Sequence, residues 1–168
     1  MNRQEWGQGP GGIMTTRGHE RRVGGIGWNT WRGCIGIAYL AAAGFNTAYT
    51  LPHQDELGGY AQGAWFPFLE DFMWDVFIPN GVLFMAIVIV FEIIIGFLIL
   101  NRGAYVDIGV GASVLWVLLV LPFLAWPYLL TNIVLAVLQG VLSLRRYDTA
   151  IWDLGKHPQR RRGAPHTY

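Results

Sequence analysis

Residues 80–100, NGVLFMAIVIVFEIIIGFLIL, decide the fold. The stretch matches the ~20 apolar residues a helix needs to cross a bilayer. Its one charge is Glu92, twelve residues after the start and eight before the end. At ~1.5 Å of rise per residue, the carboxyl falls within a few ångströms of the bilayer centre. A carboxylate there costs ~2.5 kcal/mol or more on insertion scales. The chain must neutralise it, pair it or use it.

The rest of the composition agrees with a membrane setting. Of 168 residues, 53% are hydrophobic and 14% charged, with mean hydropathy +0.35. A soluble domain carries about 25% charged residues. The net charge of +1 gives no pull towards nucleic acid. A single cysteine, Cys34, excludes an intrachain disulfide and any multi-cysteine metal site. The polar, glycine-rich start lacks the apolar run of a cleavable signal peptide.

Working outward, the sequence predicts an all-α integral membrane four-helix bundle with an interfacial amphipathic helix between spans 1 and 2. Residues 1–27 form a polar tail with Arg17, Arg21 and Arg22 close to the first span. The membrane domain covers 28–146, with spans at about 31–51, 80–100, 105–125 and 128–144. The first span is rich in small residues (Gly33, Gly36, Ala41, Ala42, Ala43, Gly44), which let membrane helices approach closely. Cys34, on that face, is expected to be a buried small apolar group. Between the first two spans, residues 52–79 hold five carboxylates and no Lys or Arg. Their second half predicts an interfacial helix over about 64–78, with Trp65 and Trp74 at the headgroup level. Phe68, Phe72 and Val76 fall on one face, Asp71 and Asp75 on another.

Asn101-Arg102-Gly103 makes a short turn into the third span, and Pro122 is placed to kink that span near its end. In the fourth span Asn132, Ala136 and Gly140 form one stripe, with Gln139 and Ser143 beside it. Residues 147–168 are a basic tail. Arg32, Arg145, Arg146 and the run Arg160, Arg161, Arg162 are expected to contact lipid headgroups or a partner, together with Trp65 and Trp74. Every Lys and Arg lies in a terminus, at a span end next to one, or in the Arg102 turn. The positive-inside rule then places both termini in the cytoplasm. The expected location is a bacterial inner membrane or an organellar inner membrane.

The chemistry is sparse. His19, His53, His157 and His166 all lie outside the spans, so no haem is held by histidine pairs within them. No cofactor is expected on His or Cys ligands in the spans, no metal site is assigned, and a lipid or quinone remains open. No HExxH, GxxxxGK[ST] or GxSxG occurs. His53, beside Asp55 and Glu56, is expected to be an exposed loop residue. Asp107 is read as a charge favouring a helix N-terminus or an interfacial ion pair with Arg102 or Arg32. The candidate catalytic residue is Glu92 alone. By depth its neighbours are Tyr39 and Gln139, with Asn46 and Ser113 further off. These make a polar interhelical network of Glu92, Tyr39, Gln139 and Asn46. The plainest role is a protonated Glu shared between helices; the sharper one is proton or quinol handling.

The stretch FEIIIGFLILNRGAYVDIGVGAS is similar to the E-x-x-x-G-x-x-L-x-x-G region of DoxX-like four-span membrane proteins, with Glu92 and Gly96 on the pattern, Ile99 at its leucine and Gly103 one residue past its last glycine. The long aromatic segment between spans 1 and 2 departs from it. The resemblance implies a redox-linked setting, since members are associated with thiosulfate:quinone oxidoreduction and with oxidative-stress enzymes. Three functions follow as expectations. The first is a non-catalytic accessory subunit of a larger membrane complex, with lipids and other membrane subunits as partners and no nucleic acid. The second is a quinone- or thiosulfate-linked oxidoreductase subunit acting through Glu92. The third is a small-solute transporter.

Overall fold

The computed structural model describes residues 23–126 and 128–154. Among them the chain is helical, with one isolated bridge between Val23 and Arg146 and no strand. The elements are α1 (Ile26–Phe45), α2 (Gly58–Gln62), α3 (Pro67–Phe72), α4 (Gly81–Leu100), α5 (Ala104–Val120) and α6 (Tyr128–Leu142). Two helices are long and apolar enough to cross a membrane, Pro67–Leu100 and Ala104–Phe123. A third joins them if Ile26–Thr50 and Gln54–Gln62, bent by 112° at their junction, count as one span.

Local chemistry accounts for these limits. α1 starts at Ile26 and is extended by a π turn over Asn46–Thr50, whose register is marked by the Leu51 N–H donating to Asn46 O at 2.8 Å. The expected boundary at Pro79 is absent. A π turn (Met73–Phe77) and a 3-10 turn (Ile78–Asn80) carry α3 into α4, making one helix of 34 residues. Proline lacks an N–H, and these irregular turns accommodate it without breaking the helix. The helix is about 51 Å long by its rise. Its inward face is Leu69, Met73 and Phe77, while Phe68, Phe72 and Val76 point away from the bundle.

α4 and α5 are joined through Gly103, whose φ of +59° lies in the region glycine tolerates. Asp107 stands in the first turn of α5, where a negative charge opposes the helix dipole. Pro122 sits in a 3-10 turn, Leu121–Phe123, that ends this helix rather than kinking it. α6 has 15 residues, so the fourth predicted span is realised as a shorter apolar helix.

α1 packs most extensively on α4, α4 on α5, α5 on α6, and α6 returns to α1. The core lies between them: Ile35 and Tyr39 of α1, Ile95 and Ile99 of α4, Val106 and Val110 of α5, and Leu142 of α6. Gly36 and Gly96 set the α1–α4 distance. A Cβ on Gly96 would lie 3.0 Å from Gly36 O and 2.7 Å from Leu40 Cδ2. The outward faces carry large apolar side chains, among them Val82, Ile87, Val90 and Ile94 on α4 and Leu115 and Leu119 on α5. Cys34, expected to be buried, is exposed, because it points off the α1 face that packs on α4.

The two ends of the bundle differ. At one end Gly24 N–H donates to Arg146 O (2.8 Å) and Gly103 N–H to Tyr147 O (2.7 Å), so the start of α1, the α4–α5 turn and the exit of α6 meet. Arg32, Arg102, Arg145 and Arg146, the four cations among the described residues, all belong to this end. At the other end Trp65 N–H donates to Pro122 O (2.8 Å), and its indole N–H to Leu124 O (3.4 Å), so the α2–α3 segment covers the end of α5.

Candidate functional site

The α1 face turned to α4 changes character along its length. From Ile35 to Ala43 it is apolar and close-packed. Beyond that come Asn46, Thr50 and Gln54, spaced four residues apart. Asn46 and Thr50 lie in the π turn, whereas Gln54 opens a 3-10 turn beyond the 112° bend and reaches α4 at Gly81.

Glu92 meets this stripe at its inner end. It is 7% exposed, and its Oε2 accepts a hydrogen bond from Asn46 Nδ2 at 2.8 Å. Asn46 Oδ1 in turn accepts from the Thr50 hydroxyl at 2.9 Å. Further out, Gln54 donates to Leu51 O (3.0 Å), and its Oε1 is 2.5 Å from where a Cβ on Gly81 would stand. Glu92 is buried, Asn46, Thr50 and Gln54 are half-buried, and neighbouring His53 is exposed.

The predicted network therefore divides in two. Tyr39 and Gln139, expected beside Glu92, bond each other instead, with Gln139 Nε2 donating to the Tyr39 hydroxyl at 3.2 Å. Ser113 stands against Tyr39 as well, and its own hydroxyl donates to Val110 O at 2.8 Å. The reason is register. Spans aligned flush at 31–51 and 80–100 put Glu92 level with Tyr39. In the structure Leu40 lies on Gly96 and Gln54 on Gly81, so Glu92 comes level with the turn that holds Ala43 and Asn46. The sequence does not single out Thr50 and Gln54; the i, i+4 spacing of Thr50 from Asn46 was an available signal, whereas Gln54 follows a bend that the spacing does not reveal.

Arg32 is the largest departure. Expected at the headgroups, it is fully buried. Its guanidinium donates to Asn101 O, at the end of α4, and to Thr149 O (2.9 Å), beyond α6. It also stacks over the Tyr147 ring, 4.6 Å from the centroid. A cation at a helix C-terminus complements the helix dipole. Burial pushes the Tyr147 phenol up from its ordinary value, with Arg32 and Arg145 opposing. Arg145 is half-buried over the Trp28 ring at 4.8 Å, and Arg146 is exposed and pairs with Asp148 at 3.2 Å. Trp65 and Trp74 are exposed, Trp74 lying over Gly58. Arg160, Arg161 and Arg162 lie outside the described residues, as do Arg17, Arg21 and Arg22.

His53 is exposed and stacks on Tyr49 with ring centroids 4.6 Å apart; the Tyr49 hydroxyl donates to Glu56 (2.9 Å). Among the described residues no three His, Cys, Asp or Glu side chains gather as a metal site would need. Compared with protein-family models, with curated proteins and with solved structures, the chain matches none.

Proposed function

We propose that the chain is an integral membrane protein acting as an accessory, non-catalytic subunit of a larger membrane complex. The observation that carries the reading is the contrast between surface and interior. The outward faces of α4, α5 and α6 are apolar, whereas Arg32, Glu92 and Gln139 are buried and bonded to other segments. That is the pattern lipid demands, since intramembrane polar groups turn to one another. Here α1, α4, α5 and α6 are the four spans, and α6 is short enough to sit at a locally thin point or against a partner. The end with the four arginines faces the cytoplasm, or the matching side of an organellar inner membrane. The first part of the 34-residue helix, longer than a ~30 Å hydrocarbon core needs, carries Glu70, Asp71 and Asp75 out of the opposite face, with Trp65 and Trp74 near the headgroups. The redox setting rests on the resemblance of the Glu92–Gly96–Ile99–Gly103 stretch to DoxX-like proteins.

The test is vesicle flotation, followed by native mass spectrometry of the gently solubilised protein. Co-floating protein found in a stoichiometric assembly heavier than the 18.8 kDa chain supports the reading. A chain that stays in the aqueous fraction, or one found only as a free monomer, refutes it.

A second reading, a quinone- or thiosulfate-linked oxidoreductase subunit acting through Glu92, is favoured by one observation. The partner of Glu92 sits on the π turn that ends the first helix, and π turns are often found at functional sites. Glu92→Gln in an assembled complex would then abolish quinone turnover; unchanged turnover removes this reading.

A further inference from the structure

We propose that Glu92 is a one-sided proton-exchange site: it trades its proton with water at the Gln54 end of the α1–α4 seam and is closed to the arginine end. The inference rests on the membrane reading above and deepens it.

Three observations carry it. First, the donor chain is directional. The Thr50 hydroxyl donates to Asn46, and Asn46 donates to Glu92, so these two side chains of the π turn donate towards the carboxyl. Second, the seam outward of Glu92 stays polar: Asn46, Thr50 and, past the bend that ends the first helix, Gln54 are all half-buried, and exposed His53 stands beside them. Helices that exist only to pack have no reason to keep a polar row in register with a buried acid. Third, the seam on the other side of Glu92 is shut. Gly36 and Gly96 bring the two backbones together, and Leu40 and Leu100 fill the remaining space so tightly that a Cβ on either glycine would lie within 2.7 Å of a leucine. The π turn supplies the geometry, since one extra residue in the turn re-aims the positions that follow it.

The charged and titratable groups near the carboxyl are few. From α1 it is Tyr39, close enough to feel the Glu92 charge although bonded to Gln139. Asp55, Glu56 and His53 stand beyond Gln54 at the exposed mouth. The amide of Asn46 keeps its own protons, so water along Thr50 and Asn46 carries the transfer. One proton leaves hydronium at the mouth, and one arrives on a Glu92 oxygen to give the carboxylic acid. Water is regenerated, and no electrons move.

The experiment uses the full chain in phosphatidylcholine vesicles and follows the carboxylic-acid carbonyl band by infrared spectroscopy during transfer from H2O to D2O, over a pH series. Glu92→Gln identifies the band by difference. Thr50→Val and Gln54→Leu are expected to slow its exchange at least 10-fold, Thr50→Ser to restore the rate, and Tyr39→Phe to leave it unchanged. Equal rates in wild type, Thr50→Val and Gln54→Leu overturn the proposal. So does an equal slowing by Tyr39→Phe, which would mean that the route is not one-sided, or the lack of any Glu92 acid band. Flotation of the same samples is scored separately: a chain that fails to float refutes the membrane reading, and the variant ratios read in detergent still test the seam.

Discussion

Replacing Arg32 with Ala removes a side chain that ties three distant segments together. Arg32 is fully buried, donates to Asn101 O and Thr149 O, and covers the Tyr147 ring. The substitution leaves two acceptor carbonyls without their donor, at about 1–3 kcal/mol each. It also loses a desolvated cation–π contact of about 2 kcal/mol. Against this, the folded state no longer bears the burial of a guanidinium, which offsets a few kcal/mol. The net expectation is a destabilisation of about 3 kcal/mol. Arg32→Lys keeps the charge but lacks the fork needed to reach two carbonyls, so its expected loss is about half as large. The assay is reversible unfolding in mixed detergent micelles followed by circular dichroism, with both variants compared at matched detergent composition. An Arg32→Ala loss below about 1 kcal/mol, or Arg32→Lys no better than Ala, would refute the view that this guanidinium is a structural clamp.

Four more outcomes are expected. Gly96→Ala pushes a methyl onto Gly36 O and Leu40 and should cost about 1–3 kcal/mol in the same unfolding assay. Tyr39→Phe strips the Gln139 amide of the hydroxyl it donates to and should cost about 1–2 kcal/mol, whereas Tyr39→Phe with Gln139→Leu should recover most of that loss, a test for a double-mutant cycle. Because burial holds the Tyr147 phenol above its ordinary value of 10.0, its contribution to stability is complete below that pH and is lost as pH climbs through the higher folded value; unfolding midpoints between pH 9 and 11 should fall in wild type and fall less in Tyr147→Phe. Cys34 is exposed, so an apolar maleimide should label it in detergent without shifting the unfolding midpoint; protection of the thiol would contradict the placement of α1.

The helices were legible in the sequence because apolar runs of the required length are a strong signal. The α4–α5 turn was legible because Gly103 follows Asn-Arg where the run stops. Three things were not. The register of α1 on α4 depends on where Gly36 meets Gly96, a tertiary contact that span boundaries do not contain, and the partner of Glu92 shifted from Tyr39 to Asn46 accordingly. The continuity of Pro67–Leu100 was hidden by Pro79, since proline normally marks a boundary and the π and 3-10 turns that accommodate it have no sequence signature. Arg32 was assigned to headgroups because an arginine at a span end ordinarily reaches water; its actual acceptors are main-chain carbonyls, which every residue carries and no pattern reveals.

The partners of Arg32 have a bearing on how the chain is made. Its two acceptors lie 69 and 117 residues downstream. On the membrane topology proposed above neither exists while α1 is being inserted, so the newly threaded helix would hold an uncovered cation that keeps its end on the side where synthesis occurs. Only when Thr149 has left the ribosome can that cation be drawn inside. On that topology one residue would serve first as an orientation mark during biogenesis and later as the closing latch. A nascent chain stopped short of Thr149 would present an open α1 to membrane quality control, however complete its earlier helices are.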